Sequence, residues 1–213
     1  MSRSKRRRAT GNERGTALLE FAFAMVFFWI PLFLGATTIG FNLIRAIQVV
    51  QVCRDAGHMY ASGIDFSQST YQNLLADLAI GLNMTATGGN GVVVLSTVMY
   101  VDSTACTAGG YSANSTSCPN LNYIVFTRQI VVGNSSLHTS NLGTPNSADM
   151  DSSGNISVSG YLTDTSNRVA NFSNIIPLTT GQFAYVSEMF VQSPDLTFWW
   201  LMNTPFISAR SIF

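Results

Sequence analysis

The chain has 213 residues, enough for one ordinary domain or for a small domain with an anchoring segment. Charged residues make up 10% of it. Typical soluble domains hold roughly 25%, so a charge-rich disordered chain and a long coiled coil are excluded. Residues 1–15 hold six basic residues and one acidic residue, and the remainder holds five basic and ten acidic residues. A basic tip on an acidic body indicates membrane topology, and we expect no nucleic-acid partner.

An apolar stretch follows the basic tip. The only charged residue between Arg14 and Arg45 is Glu20, and residues 21–44 carry no charge. As an α-helix those residues span roughly 36 Å, more than the about 30 Å of a bilayer core. The alternative is a buried core helix, but bulky apolar side chains surround the whole helix. We therefore predict a single transmembrane helix at residues 16–45, with a kink near residues 27–31 caused by Pro31.

The charges that flank this helix predict its orientation. Basic residues precede the helix in excess, so residues 1–15 are expected in the cytoplasm and the chain after residue 45 outside it. The predicted location is the inner (cytoplasmic) membrane, with the C-terminal part periplasmic or extracellular.

The junction between tip and helix carries a short motif. Residues 14–21 read Arg-Gly-Thr-Ala-Leu-Leu-Glu-Phe, so a basic leader ends in Gly15 and a Glu follows five positions later. This resembles the class III signal of type IV pilins and pilin-like proteins. Residues 15–24, with Pro31, resemble in particular the TadE/TadG branch, the minor pilins or pseudopilins of the tight-adherence (Flp) system.

The resemblance implies a processing step and an assembly role. A prepilin peptidase would cut between Gly15 and Thr16 on the cytoplasmic side, where a small residue lets the backbone enter the enzyme. The new amine of Thr16 would then meet the Glu20 carboxylate of a neighbouring subunit, which removes two isolated charges from a low-dielectric contact. Glu20 and Phe21 are thus the implied assembly residues. The implied partners are the peptidase, other pilin-like tight-adherence subunits and the membrane.

Residues 46–213 are predicted to form an extracytoplasmic α+β domain. Helical spacing of apolar residues predicts a continuation of the long helix and a second, short helix. Runs of β-branched and aromatic residues then predict antiparallel strands, separated by a long polar loop near residues 133–174 with a weak strand inside it. A small sheet beside a long N-terminal helix is also what the resemblance implies. The helices are expected at residues 44–62 and 69–82, and the strands at 91–101, 121–132, 156–162, 182–191 and 206–212.

Three cysteines are present. Cys106 and Cys118 lie between the first two predicted strands, and outside the cytoplasm such a pair indicates a disulfide that closes a hairpin loop. Zinc binding is the alternative, but two cysteines without nearby histidines make a poor zinc site. Cys53 remains, either as a buried small apolar residue or as a link between subunits.

Catalytic and metal-binding patterns are not found in the sequence. His58 and His138 lie in no catalytic signature, and the pair Asp149 and Asp151 lacks the acid that would complete a calcium loop. Glu188 is expected to be a buried partner of an arginine. We therefore expect a structural protein, not an enzyme, with no cofactor and no metal. The alternative is an uncleaved single-pass protein whose ectodomain binds a surface ligand or partner.

Overall fold

The computed structural model describes residues 13–192 and 206–213. The predicted leader at residues 1–15 therefore lies almost entirely outside the described residues. The chain divides into two compact units, Met1–Leu43 and Ile44–Phe213.

The first unit is helical wherever it is described. Helix α1 spans Glu13–Ala24 and is followed by a π-helical turn, Met25–Trp29, and by helix α2, which begins at Ile30. The π turn ends two residues before Pro31 and overlaps residues 27–31, where the sequence predicted a kink. A proline disturbs the hydrogen bonding of the turn that precedes it, and a π turn is one way in which a helix accommodates that disturbance.

The second unit contains a sheet of four antiparallel strands, in the order β4-β3-β5-β6. Strand β3 (Gly91–Tyr100) pairs with β4 (Ile124–Gly133) and with β5 (Phe183–Gln192), and β5 pairs with β6 (Phe206–Ile212). A separate small hairpin joins β1 (Met84–Thr85) and β2 (Gly88–Gly89). The long apolar helix and the small antiparallel sheet confirm the α+β class.

The C-terminal half of α2, which ends at Ala61, packs on one face of the sheet. Helix α3 (Ser69–Leu78) and the 3₁₀ turn Ile80–Leu82 complete this layer. At Gly57 the helix approaches the sheet closely, because an added Cβ would lie 2.5 Å from the Phe213 ring. The core between helix and sheet contains Val49, Val52, Cys53, Ala56, Tyr60, Leu75, Val93, Leu95, Ile130, Val132, Met189 and Val191.

The opposite face of the sheet is covered by the polar segment between β4 and β5. Few of its residues are apolar, but Leu142, Ile156 and Phe172 are buried against Val98 and Val186 of the sheet. Both faces of the central strand are thus buried, which explains why residues 91–95 form a continuous apolar run instead of an alternating one.

The weak strand predicted at residues 156–162 is wrong. Ile156 forms only an isolated bridge with Met150, and helix α5 (Val158–Thr163) follows it. The Ser157 hydroxyl accepts a hydrogen bond from the Gly160 N–H at 3.1 Å, which caps the first turn of this helix. The cap therefore outweighs the β-propensity of the local sequence.

The connection between β3 and β4 carries the predicted disulfide. Helix α4 (Ser103–Ala108) is capped by Asp102, whose carboxylate accepts a hydrogen bond from the N–H of Ala105 at 2.7 Å. Cys106 of this helix is bonded to Cys118, with their Cα atoms 6.0 Å apart. The link lies in a small apolar cluster at the end of the sheet, where both cysteines are buried.

Candidate functional site

The residues singled out by the motif all lie on α1. Gly15 and Thr16 occupy its first turns, and Glu20 and Phe21 follow one turn later. All four are exposed, and Phe21 keeps 63% of its surface accessible. The four residues that the motif singles out thus lie together on one accessible helix.

Gly15 is not required by the fold. A Cβ placed on this residue would meet no atom of the described residues within 4 Å, and its backbone is that of an ordinary helical residue. Glycine inside a helix costs roughly 0.5–1 kcal/mol relative to alanine. Packing among the described residues therefore gives no reason for a glycine at this position.

Thr16 and Glu20 lie on the same face of α1, because residues four apart in a helix are neighbours. Along the axis they are separated by about 6 Å. Cleavage before Thr16 would turn its amide nitrogen into a charged amine, so one helix face would then carry both a cation and a carboxylate.

The residues that follow Glu20 along the helix are apolar. An ionised carboxylate in such a helix costs roughly 2.5–3.5 kcal/mol at the centre of a bilayer by insertion scales. Glu20 therefore needs either the polar boundary of a membrane or a cationic partner. The exposed apolar residues that follow it along the helix include Phe23, Val26, Phe27, Phe28, Trp29, Ile30, Leu32 and Phe33.

One helix of the described residues, Gly15–Ala61, is long and apolar enough to cross a membrane, and none of its most apolar window is buried. This agrees with the predicted single transmembrane helix by length and composition.

The second unit contains a polar cavity that the sequence did not predict. It has a volume of about 380 Å³ and is lined in part by Tyr60, Thr97, Arg128 and Tyr185. The Tyr60 and Thr97 hydroxyls are hydrogen-bonded at 2.7 Å, and Arg128 donates to the carbonyl oxygen of Ser153 at 3.1 Å. These residues come from separate elements and form no motif, so only the fold brings them together.

Arg128 also forms an ion pair with Asp65, beside the cavity. Partial burial raises the pKa of the Asp65 carboxyl, but hydrogen bonds from Arg128 and Ser67 outweigh it and leave the pKa below its usual value. The guanidinium is therefore held by the loop that follows α2.

Glu188 is the buried acid of β5, and only 2% of its side chain is accessible. Arg210 of β6 donates to one carboxylate oxygen from Nε at 2.9 Å and from a terminal nitrogen at 2.6 Å. Ser140 of the polar segment donates to the other oxygen. The expected arginine partner is therefore present, and the pair connects two strands with the layer above them.

The remaining candidates are dispersed. The His58 ring lies 6.1 Å from that of Phe213, and His138 stacks on Phe190 at 3.9 Å. Cys53 is buried and free, and its thiol donates to the carbonyl oxygen of Ser187 at 3.3 Å. In residues 13–192 and 206–213 no three histidine, cysteine or acidic side chains are grouped as a metal would need.

Asp149 and Asp151 serve the polar segment itself. The Asp149 carboxylate accepts from the Asn167 amide at 2.8 Å, and Asp151 accepts from the backbone N–H groups of Ser153 and Asn155 at 2.8 Å each. These carboxylates thus stabilise turns of their own segment.

Comparison with known proteins gives no relative from which a role could be transferred. No protein-family model matches the chain, and no curated protein and no solved structure is significantly similar to it.

Proposed function

We propose that this protein is a pilin-like structural subunit, cut by a prepilin peptidase after Gly15 and used in assembling a tight-adherence (Flp) pilus. The observation that carries the proposal is the motif from Gly15 to Phe21, displayed on an exposed helix at the start of the candidate membrane span. In this role the protein is not an enzyme, and its ectodomain forms the exposed part of the subunit that serves surface adhesion.

The position of Gly15 supports the processing step. The fold leaves open space around it, so a larger residue would fit the folded chain. A peptidase that draws the backbone into its active site has a reason to require a small residue here. Because the scissile bond lies in the first turns of α1, the enzyme would have to unwind only the end of a helix.

The exposed apolar helix supports the assembly step. Its side chains need either lipid or other apolar helices around them, and a pilus supplies the second when a subunit leaves the membrane. On assembly Glu20 would leave the polar boundary of the membrane and contact the Thr16 amine of a neighbouring subunit. The partners are accordingly the prepilin peptidase and other tight-adherence subunits.

The disulfide supports the proposed location. Disulfides persist outside the cytoplasm, and Cys106–Cys118 lies in the unit that would follow the membrane span. The subunit would thus reside in the inner membrane before assembly, with residues 1–15 in the cytoplasm and the ectodomain outside.

Mass spectrometry of the mature N-terminus tests the proposal. The full chain is produced with and without a tight-adherence prepilin peptidase, and we expect the processed protein to begin at Thr16. Gly15→Ala should be cut and Gly15→Leu should not, because only the larger side chain obstructs the approach of the backbone. The open space at Gly15 makes both variants compatible with the fold.

Retention of residues 1–15 in the presence of active peptidase would contradict the proposal. The protein would then be an uncleaved single-pass protein whose ectodomain binds a surface ligand or partner. Normal cutting of Gly15→Leu would show instead that the cleavage site had been assigned wrongly.

A further inference from the structure

The polar cavity of the second unit lies where α2 stops covering the sheet. Strand register places Arg128, Thr97 and Tyr185 side by side across β4, β3 and β5. Directly opposed residues of an antiparallel sheet point to the same face, so these three side chains form one row. Helix α2 ends two residues before Gly63, whose φ of +91° turns the chain away. The row therefore remains open and lines the cavity, together with Tyr60 of the last helical turn.

A β-bulge shapes the same end of the sheet. The pairing of β3 with β4 shifts between Thr97 and Val98, and Thr127 is left without a partner across the strands. The Thr127 hydroxyl donates to the carbonyl oxygen of Thr97 at 3.3 Å, and this threonine also lines the cavity. Bulges redirect side chains and are frequent beside functional sites. The irregular register thus adds a hydroxyl group to the row.

Polar atoms of the cavity are available to a ligand. Arg128 bonds to Ser153 and Asp65 through Nε and one terminal nitrogen, and its other terminal nitrogen has no partner among the described residues. The Tyr185 hydroxyl likewise forms no hydrogen bond within the described part of the chain. A terminal guanidinium nitrogen can donate twice, and a phenol both donates and accepts. A bound molecule would therefore meet donors and an acceptor that the strands hold in place.

Aromatic rings lie beside these polar groups. The rings of Tyr60 and Tyr185 are 5.4 Å apart, with an angle of 85° between their planes. The Tyr185 ring also contacts the Phe183 ring edge-on at 5.6 Å, so it is held from two sides. It is only half-buried and thus offers part of its surface to a ligand. The C–H groups of a sugar ring carry a partial positive charge, which the negative face of an aromatic ring attracts.

The cavity is close to electrically neutral. Arg128 is the only charged residue among those that line it, and Asp65 beside it supplies the opposite charge. An anionic ligand would have to compete with Asp65 for the guanidinium. The volume of about 380 Å³ lies at the lower end of the roughly 300–1,000 Å³ that is typical of small-molecule sites. These properties favour a small, uncharged molecule that has both hydroxyl groups and an apolar face.

We propose that this cavity binds a small neutral saccharide. The free nitrogen of Arg128 and the hydroxyl of Tyr185 bind hydroxyl groups of the sugar, and the Tyr185 ring packs against its C–H face. This inference goes beyond the proposed function and does not require it, because residues of the second unit alone form the cavity.

The experiment is saturation-transfer NMR on the full chain in a phosphocholine detergent, because a maltoside detergent would itself offer a sugar. The probes are the methyl glycosides of glucose, galactose, mannose and N-acetylglucosamine. Each is titrated to about 50 mM, a range that covers millimolar dissociation constants. Methyl glucuronide is the charged counterpart of the glucose probe. We expect saturable binding of at least one neutral probe, and weaker binding of the glucuronide than of the glucoside.

Two variants assign the binding to the cavity. Tyr185→Phe removes the free hydroxyl, and Arg128→Lys removes the free nitrogen but keeps a cation for Asp65. Each should raise the dissociation constant roughly 2- to 10-fold, as expected for one hydrogen bond. Tyr100→Phe is the matched control, because the Tyr100 hydroxyl donates to Asn122 at 3.2 Å and does not line the cavity. Its dissociation constant should equal that of the unsubstituted protein.

Three outcomes would overturn the proposal. The first is the absence of saturable binding by every neutral probe. The second is equal binding by the unsubstituted protein and the two cavity variants, which would locate the sugar elsewhere. The third is tighter binding of the glucuronide than of the glucoside, which would identify an anion site. Near-ultraviolet circular dichroism verifies the folding of each variant, and either cavity variant suffices for the comparison if the other does not fold.

Discussion

A substitution at Glu20 tests the proposed assembly mechanism most directly. Glu20→Gln keeps the size of the side chain and removes its charge. We expect this variant to insert and to be cut normally, because the leader and Gly15 remain. It should be lost from assembled pili, since the Thr16 amine would face an uncharged amide in a low-dielectric contact. Cleavage is followed by gel shift, and assembly by recovery in sheared pili.

Glu20→Asp is the matched control for this test, because it retains the charge on a shorter side chain. Recovery of this variant should exceed that of Glu20→Gln. Normal recovery of cleaved Glu20→Gln would eliminate charge pairing as the reason for the carboxylate, and loss of cleavage would assign Glu20 to the peptidase instead.

Glu188 offers a test inside the second unit. Glu188→Gln leaves Arg210 without its carboxylate, and hydrogen bonds to charged groups contribute about 1.5–3 kcal/mol. We expect the substitution to decrease the free energy of unfolding. Because Arg210 is partly exposed, the decrease should lie toward the lower end of that range. Thermal unfolding monitored by near-ultraviolet circular dichroism measures the loss.

A double-mutant cycle with Arg210→Met isolates the interaction of the pair. The double variant should lose less stability than the sum of the two single variants. Additive losses would show that the buried pair contributes nothing beyond its separate contacts.

At the scale of elements, the connection between β3 and β4 depends on its disulfide. Replacing Cys106 and Cys118 with serine frees a loop that the bond closes over a separation of 12 residues. The loop-entropy model assigns about 3 kcal/mol to a link of this length. We expect a corresponding decrease in the free energy of unfolding. Cys53→Ala is the control, because it also removes a cysteine but leaves the bond between Cys106 and Cys118 in place.

Peptide mapping without reduction identifies the link directly. The expected result is a peptide that joins Cys106 to Cys118, with Cys53 unpaired within the chain. A Cys53–Cys106 link would contradict both the described connection and the packing of α2 on the sheet.

The elements differ in how well the sequence predicts them, for physical reasons. Strand β3 is a long β-branched run and was found almost to the residue. Helix α5 was missed, because its stability comes from the Ser157 cap and from packing of Leu162, and six residues are too few to show a helical period. The layer formed by residues 134–182 could not be foreseen, since its buried apolar residues are single positions among polar ones.

The candidate functional residues also differ in how well the sequence predicts them. The motif at Gly15 and Glu20 is local in sequence, so it could be recognised without a structure. The cavity beside Tyr60 and Arg128 could not, because its walls are separated by many residues and meet only through strand register and the packing of α2 on the sheet.

At the scale of the whole molecule, the polar layer makes stability depend on pH. The Asn146 amide donates to Asp164 at 2.7 Å and the Ser166 N–H at 2.8 Å, and these bonds lower the pKa of the Asp164 carboxyl to about 2. Because the pKa is lower in the folded state, the ionised carboxylate contributes its full stabilisation above the pKa of the unfolded state, near 4. It is lost as the pH falls through about 2.

We therefore expect the melting temperature of the second unit to decrease between about pH 4 and pH 2. Asp164→Asn should be less stable at neutral pH and should show a shallower decrease, because its amide does not titrate. An identical pH profile for the two proteins would assign the acid sensitivity to other carboxylates, of which Asp65 is the first candidate.

One consequence concerns where the protein can be divided. The second compact unit begins at Ile44, and residues of α2 such as Val49, Cys53 and Ala56 have no accessible surface. A soluble fragment that starts after Ala61 would lack one wall of its core and expose the apolar face of the sheet. A fragment that starts at Ile44 keeps this wall and omits nearly all of the candidate membrane span. The boundary useful for crystallisation thus falls within a continuous helix, not in the loop that follows it.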